Sequence, residues 1–144
     1  MYQSKLLKTS SYIDGKWSSS DVYFEVTNPY HNQLVAKVAN ADVAETKQAV
    51  LAAKKALKSW SAMSANSRSA LLRKWFELMM LNQDELSEIL TLEQGKPLAE
   101  AKGEIAYGAS FMEWFSEEGK RVYGDTIQGP SGDKRIVVIK QAVG

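Results

Sequence analysis

The residue types that most often carry out covalent or metal chemistry are nearly absent from this sequence. Cysteine does not occur among the 144 residues, and His31 is the one histidine. The chain therefore has no thiolate nucleophile, disulfide or cysteine-based metal site. A serine–histidine relay or a multi-histidine metal site would depend on His31 alone. His31 follows Asn28-Pro29-Tyr30 in a predicted turn, where we expect a solvated side chain, so we predict no catalytic residue and no metal site.

Three carboxylates lie close together near the end of a predicted helix: Glu113, Glu117 and Glu118. A pair of carboxylates can perform acid–base catalysis. Lys120 and Arg121 are beside them in the sequence, and mixed charges at this spacing are typical of a solvated helix face. We favour the solvated face over an acid–base site.

The same predicted helix carries an aromatic stripe. Its members are Tyr107, Phe111, Trp114 and Phe115. Their spacing favours packing in a core, and the alternative is that one edge of the stripe lines an apolar ligand channel. Gly103 and Gly108 lie in this helix, where a glycine costs about 1 kcal/mol relative to alanine. Such glycines usually permit close approach of another backbone, so we expect tight packing against a neighbouring element.

Composition and charge exclude several classes of protein. Lys plus Arg is 18 and Asp plus Glu is 17, so there is no basic excess to hold a nucleic-acid backbone. The apolar runs are too short for a transmembrane helix, and the first ten residues lack the apolar stretch of a secretory signal. We expect a cytoplasmic protein. No glycine-rich phosphate loop of either common spacing occurs.

The first forty residues have the pattern of short strands. Asp14-Gly15, between Tyr12-Ile13 and Lys16-Trp17, predicts a tight hairpin because glycine accepts a positive φ angle. Further strands are predicted at 23–26, stopped by Asn28-Pro29, and at 34–38.

The pattern becomes helical from Asp42 to about Tyr123. Asp42 and Glu45 have the spacing of a capping box, and an apolar stripe follows at Val43, Val50, Ala53, Leu57 and Trp60. Four helices are predicted. The first begins at Asp42 and extends past Trp60, and the second runs from Ser64 or Ser67 to Asn82. The third runs from about Asp84 to Gly95, and the fourth has Pro97 in its first turn and ends at about Gly119.

A strand pattern returns near the end of the chain. The segment 135–141 is rich in β-branched residues, and its four consecutive apolar residues, 136–139, predict a strand covered on both faces. The sequence stops at Gly144, directly after this strand, and we expect the chain to be part of a longer one. The chain thus divides into 1–41, 42–121 and 122–144.

Two segments resemble a known family. Residues 91–105 (TLEQGKPLAEAKGEI) strongly resemble the aldehyde dehydrogenase superfamily, and residues 113–127 (EWFSEEGKRVYGDTI) resemble its succinate-semialdehyde dehydrogenase branch. Residues 12–17 and 135–141 are also similar to that family. The resemblance extends from about residue 11 to the end of the chain.

The resemblance implies an α/β fold: the N-terminal part of an aldehyde dehydrogenase, with short strands, then four helices, then strands of the oligomerisation arm. It implies oxidation of succinate semialdehyde to succinate with NAD or NADP. In the family a cysteine thiolate attacks the aldehyde, hydride passes to the cofactor, and a glutamate activates water. The positions of these groups come later in the family's sequence than the part matched here. We therefore expect the isolated chain to be inactive and to bind no cofactor.

The resemblance also assigns each part of the chain a role. Residues 1–41 are the N-terminal strands, 42–121 the helical part of the cofactor-binding domain, and 122–144 the start of the arm that joins subunits into a homo-oligomer. Tyr107 and Phe111 resemble the wall of the substrate channel. An alternative is a stand-alone α+β interaction module that binds a partner through its exposed C-terminal strand.

Overall fold

A computed structural model describes residues 2–143 and contains ten regular elements. The first four are strands: β1 (Ser11–Ile13), β2 (Lys16–Ser18), β3 (Tyr23–Thr27) and β4 (Leu34–Ala39). Four helices follow: α1 (Val43–Ala62), α2 (Ala65–Leu81), α3 (Gln83–Gln94) and α4 (Leu98–Glu118). The last two elements are the strands β5 (Asp125–Gln128) and β6 (Arg135–Val138). The strands form three separate two-stranded antiparallel sheets, each from consecutive strands.

The β1–β2 hairpin forms where the Asp-Gly pair predicts it. Asp14 and Gly15 both have positive φ angles, 50° and 77°, as a two-residue hairpin turn requires. Tyr12 is paired with Trp17 across the strands, and their ring centroids are 5.0 Å apart. The hairpin prediction is confirmed.

Many of the buried apolar residues lie in the β3–β4 hairpin. Val35, Ala36 and Ala39 in β4 are buried. The N-terminal segment extends this sheet, since the amide of Ala39 donates a hydrogen bond of 2.8 Å to the carbonyl of Thr9.

Side-chain caps begin the first two helices. The Asp42 carboxylate accepts a 2.8 Å hydrogen bond from the amide of Glu45, and the Glu45 carboxylate accepts one of 2.9 Å from the amide of Asp42. The predicted capping box is therefore present. At α2 the cap is Ser64, whose hydroxyl accepts from the amide of Ser67.

Replacement of Asp42 by alanine is expected to lower the stability of α1 by about 1 kcal/mol, because the amide of Glu45 loses its side-chain acceptor. Urea unfolding followed by circular dichroism measures this loss. Asp42→Asn keeps an acceptor at the same place and should lose less. An equal loss in both variants would contradict the role of the hydrogen bond.

The α3–α4 connection contains a left-handed residue. Gly95 ends α3 with φ 82° and ψ 7°, as predicted for a glycine in that position. The prediction for Pro97 is wrong by one position: it precedes the first helical residue and has an extended ψ angle of 141°. Proline still suits this place because its absent N–H needs no partner there.

Helices α2 and α3 both pack against α4. The buried residues of α4 are Ala101, Ala109 and Ser116, seven to eight positions apart and therefore on one face of the helix. Ser69 of α2 and Ser87 of α3 are buried as well. Small side chains at these positions let the helix axes come close.

Helix α1 buries none of its residues. The apolar stripe of this helix is largely exposed, with Val43 71% and Val50 62% accessible. The helix instead contacts β1, and alanines of α1, among them Ala49 and Ala52, share a cleft with the β1–β2 turn. The predicted stripe is therefore not a core face within this chain.

Strand β6 is shorter than predicted, since it ends at Val138. All four of its residues are exposed, so the cover expected on both faces does not come from residues 2–143. The β5–β6 hairpin is held by its own pairing, with Thr126 opposite Val137 and Ile127 opposite Ile136.

The chain exposes an unusually large surface for its size. Its accessible area is 10910 Å², whereas a compact monomer of this mass exposes roughly 7,400 Å². The largest fully buried side chains are those of Ser87 and Ser116. Most large apolar side chains of these elements thus lie on surfaces that the described residues do not cover.

Candidate functional site

The aromatic stripe lies on the face of α4 opposite its buried positions. Tyr107, Phe111 and Trp114 follow the helical spacing of four and three residues. The exposed fractions are 66% for Tyr107, 42% for Phe111 and 64% for Trp114. The favoured interpretation of the stripe as core packing is therefore wrong within this chain. An exposed aromatic face of this kind is typical of a binding surface or an interface.

Two of these rings form a fixed pair. The rings of Tyr107 and Phe111 meet edge to face, with centroids 5.0 Å apart and an interplanar angle of 82°. Such a contact adds to the stability of the pair beyond the area it buries. The structure therefore brings together the two residues that the sequence assigned to a channel wall. Whether they contact a substrate stays a prediction.

The two glycines of α4 have different surroundings. A Cβ atom added at Gly103 would meet no atom within 4 Å, and one added at Gly108 would lie 3.9 Å from Cε of Met79, an ordinary contact. The close backbone approach predicted from these glycines does not occur among residues 2–143. Gly103 lies one turn before Tyr107, so it leaves space beside the aromatic face.

A groove of about 770 Å³ runs along the C-terminal half of α4. Its apolar lining comes from Phe111, Trp114 and Phe115, and Arg73 of α2 and Arg121 contribute the cations. The groove is continuous with the Tyr107–Phe111 pair because Phe111 belongs to both.

The three carboxylates of this region each have a cationic partner. Glu117 binds Lys120 at 3.0 Å, and Glu118 binds Arg121. Glu113 accepts a 2.8 Å hydrogen bond from Nη1 of Arg73. The predicted solvated, charge-paired face is confirmed.

The link between Arg73 and Glu113 joins α2 to α4, and sequence reasoning missed it. The two residues are 40 positions apart, and no local spacing rule connects them. The Arg73 guanidinium also binds Glu77 one turn along α2 and lies 5.0 Å from the ring centroid of Phe76. The hydrogen bond that Arg73 donates to Glu77 is the main cause that raises the pKa of Arg73, so the guanidinium stays charged.

His31 has the surroundings of a loop residue. It is exposed in the β3–β4 connection, and its Nδ1 accepts a 3.3 Å hydrogen bond from the amide of Gln33. The expectation of a solvated side chain is confirmed.

Residues 2–143 contain no group of three His, Asp or Glu side chains placed to hold a metal ion. Within the same residues, no helix combines the length and the apolar character needed to cross a bilayer.

Comparison with known proteins decides the family. The model of the aldehyde dehydrogenase family matches residues 17–144. The chain belongs to the aldehyde dehydrogenase family. Glutarate-semialdehyde dehydrogenase of Pseudomonas putida KT2440 is 54% identical over 143 residues, which are 98% of this chain and 30% of that protein. The NADP(+) succinate-semialdehyde dehydrogenase of Escherichia coli K12 is 50% identical over the same shares.

Solved structures of other proteins, some of them named aldehyde dehydrogenases, have the same arrangement of elements. An NADP-dependent enzyme of E. coli matches with a TM-score of 0.92 and 50% identity, over 95% of this chain and 29% of that one. Succinate-semialdehyde dehydrogenase of Burkholderia pseudomallei matches with a TM-score of 0.90 at the same identity and shares. The predicted fold, the N-terminal part of the aldehyde dehydrogenase fold, is confirmed. The chain spans about 30% of the length of these relatives.

Proposed function

We propose that this chain is the N-terminal portion of an NAD(P)-dependent aldehyde dehydrogenase that oxidises succinate semialdehyde to succinate. The observation that carries the proposal is the identity of about 50%, along nearly the whole chain, to dehydrogenases of short semialdehydes. The exposed aromatic face of α4 supports it, because it offers an apolar wall that lacks a covering element in this chain.

The substrate class follows from what the relatives' names share. Succinate semialdehyde and glutarate semialdehyde each carry a carboxylate at the end opposite the aldehyde, and a further relative at 50% identity is a 3-sulfolactaldehyde dehydrogenase. We infer a small aldehyde with an anionic group at its far end. Succinate semialdehyde is the substrate we favour, with glutarate semialdehyde as the comparison.

Within this enzyme, Tyr107 and Phe111 would form part of the substrate-channel wall. Their edge-to-face contact holds two rings in one geometry, and an apolar wall beside a short methylene chain excludes water from the path to the aldehyde carbon. The wall binds and orients the substrate, and the chain contains no cysteine to attack it.

The remaining parts have proposed roles in assembly. Residues 42–121 would be the helical part of the cofactor-binding domain, and 122–144 the start of the arm that joins subunits of a homo-oligomer. The exposed apolar residues of β6, such as Val137 at 70%, support such an arm because an uncovered strand invites pairing. When bound, NAD or NADP would accept the hydride, and we assign none of its contacts to this chain. A cytoplasmic location stays a prediction.

A chimera tests the proposed function. This chain replaces the matching segment of the E. coli NADP(+) succinate-semialdehyde dehydrogenase, and turnover is measured with succinate and glutarate semialdehydes. We expect turnover of both, with the higher kcat/KM for succinate semialdehyde. A folded chimera of the parent's oligomeric size that turns over neither aldehyde would refute the proposal. A preference for the longer aldehyde would refute the substrate assignment alone.

A second candidate function is partner binding through the C-terminal hairpin. All residues of β5 and β6 are exposed, which favours this alternative. It predicts that the isolated chain captures a strand from a protein unrelated to dehydrogenases, whereas the dehydrogenase proposal predicts that the chain binds the remainder of the E. coli enzyme.

A further inference from the structure

Small and larger side chains share the face of α4 that packs against α2 and α3. Ala101, Ala109 and Ser116 are buried, and Ile105 and Met112, on the same face, are half-buried. The three small side chains permit close approach of the helices but do not interlock as large side chains do. Polar contacts at the edge of the interface therefore act together with Ile105 and Met112 in setting how the helix is turned about its axis.

One such contact lies close to the aromatic face. Nη1 of Arg73 donates to Oε1 of Glu113 at 2.8 Å, and this ion pair joins α2 to α4. Glu113 lies two residues after Phe111 and one before Trp114. The ion pair therefore acts on the part of α4 that presents the aromatic residues.

The arginine itself is held in place from two further directions. Its Nε lies 3.3 Å from the carboxylate of Glu77, and its guanidinium lies 5.0 Å from the Phe76 ring centroid. A guanidinium already restrained on two sides loses little additional freedom when it binds Glu113. These additional contacts distinguish the Arg73–Glu113 pair from an isolated, half-exposed ion pair, which contributes little to stability.

We propose that Arg73 is a positioning residue: through Glu113 it sets the rotation of α4 and thereby the placement of Tyr107 and Phe111 in the channel wall. The inference rests on the proposed function, since it assigns this wall to the substrate. A helix with its side chains has a radius of about 5–6 Å, so a rotation of about 10° moves a ring by about 1 Å. Displacements of this size are enough to impair a catalytic geometry.

The test uses the chimera with the E. coli enzyme and three variants of the ion pair. Arg73→Gln removes the charge, and Arg73→Lys keeps it without the planar fork. Arg73→Glu combined with Glu113→Arg reverses the pair, and Glu77→Gln is added to this variant so that the new carboxylate does not face Glu77. We expect Arg73→Gln to lower kcat/KM for succinate semialdehyde about 5-fold to 20-fold, mainly through KM. The reversed pair should recover at least half of the loss in log kcat/KM. The kcat/KM of Arg73→Lys should lie between those of the parent chimera and Arg73→Gln.

Lys120→Gln is the control, because Lys120 also forms an ion pair near the end of α4, with Glu117, but does not line the groove or join α4 to another helix. It should leave kcat/KM within 2-fold of the parent chimera. Arg73→Gln combined with Tyr107→Ala should lose less than the product of the two single losses, because both act on the same wall. Equal effects of Arg73→Gln and Lys120→Gln, or fully independent effects of Arg73 and Tyr107, would overturn the inference.

A spectroscopic readout separates this inference from the proposed function. A fluorotryptophan at Trp114 reports the surroundings of α4 whether or not the protein turns over aldehyde. Its ¹⁹F resonance should shift in Arg73→Gln, return towards the parent position in the reversed pair, and stay in place in Lys120→Gln. An unmoved resonance in Arg73→Gln would overturn the positioning role, even in an active chimera.

Discussion

The isolated 144-residue chain is expected to reduce no NAD(P) when it is given succinate semialdehyde. The family's reaction begins with a thiolate that attacks the aldehyde carbon, and the chain contains no cysteine. Binding surfaces without a nucleophile provide no route to the covalent intermediate. The measurement is the appearance of reduced nicotinamide, with succinate semialdehyde and each cofactor in separate reactions.

The control for this experiment is the chimera in the same buffer at the same molar concentration, which should be active. Addition of the separately produced remainder of the E. coli enzyme to the isolated chain is a second arm. Recovery of turnover there would show that the chain contributes a required part without supplying the nucleophile. Saturable turnover by the purified chain alone would contradict the mechanism we assign.

Local elements of this fold are predictable because their signals lie within a few residues. The Asp14-Gly15 turn, the capping box of Asp42 and the end of α3 at Gly95 each depend on one or two side chains with a specific backbone preference. These predictions are confirmed to within one or two residues. The error at Pro97 is of the same small size.

Burial is where prediction from the sequence failed. Periodicity shows that Val50 or Trp114 lies on an apolar face, but it does not show what covers that face. Val50 is 62% exposed and Trp114 64% exposed, although both belong to stripes with helical spacing. The excess of accessible area over that of a compact monomer has the same origin, since residues 2–143 do not cover these apolar faces.

The candidate site was predictable in part. Tyr107 and Phe111 were found through their helical spacing and the family resemblance, and the structure adds their edge-to-face contact. Arg73 was not found, because its partner Glu113 is 40 positions away and depends on how α2 packs against α4. Contacts of this kind follow from tertiary structure and leave no pattern within one helix.

Substitution of Gly95 by alanine is expected to destabilise the chain by about 2 kcal/mol or more. Gly95 has φ 82°, a left-handed conformation that costs a residue with a Cβ about 1 kcal/mol or more. The added Cβ would also lie 2.6 Å from Cγ of Pro29, closer than two carbon atoms can approach without movement of the loop. Urea unfolding followed by circular dichroism measures the change.

The same substitution at Gly103 should act in the opposite direction. Gly103 lies inside α4, and its added Cβ would meet nothing within 4 Å, so alanine is expected to stabilise the chain by about 0.5–1 kcal/mol through helix propensity. Pro29→Ala, added to Gly95→Ala, removes the contact with the new Cβ and should restore that part of the lost free energy of unfolding. The part caused by the left-handed backbone should remain lost. Losses of equal size at Gly95 and Gly103 would show that a general intolerance of the added methyl group, and not the left-handed turn against Pro29, governs both positions.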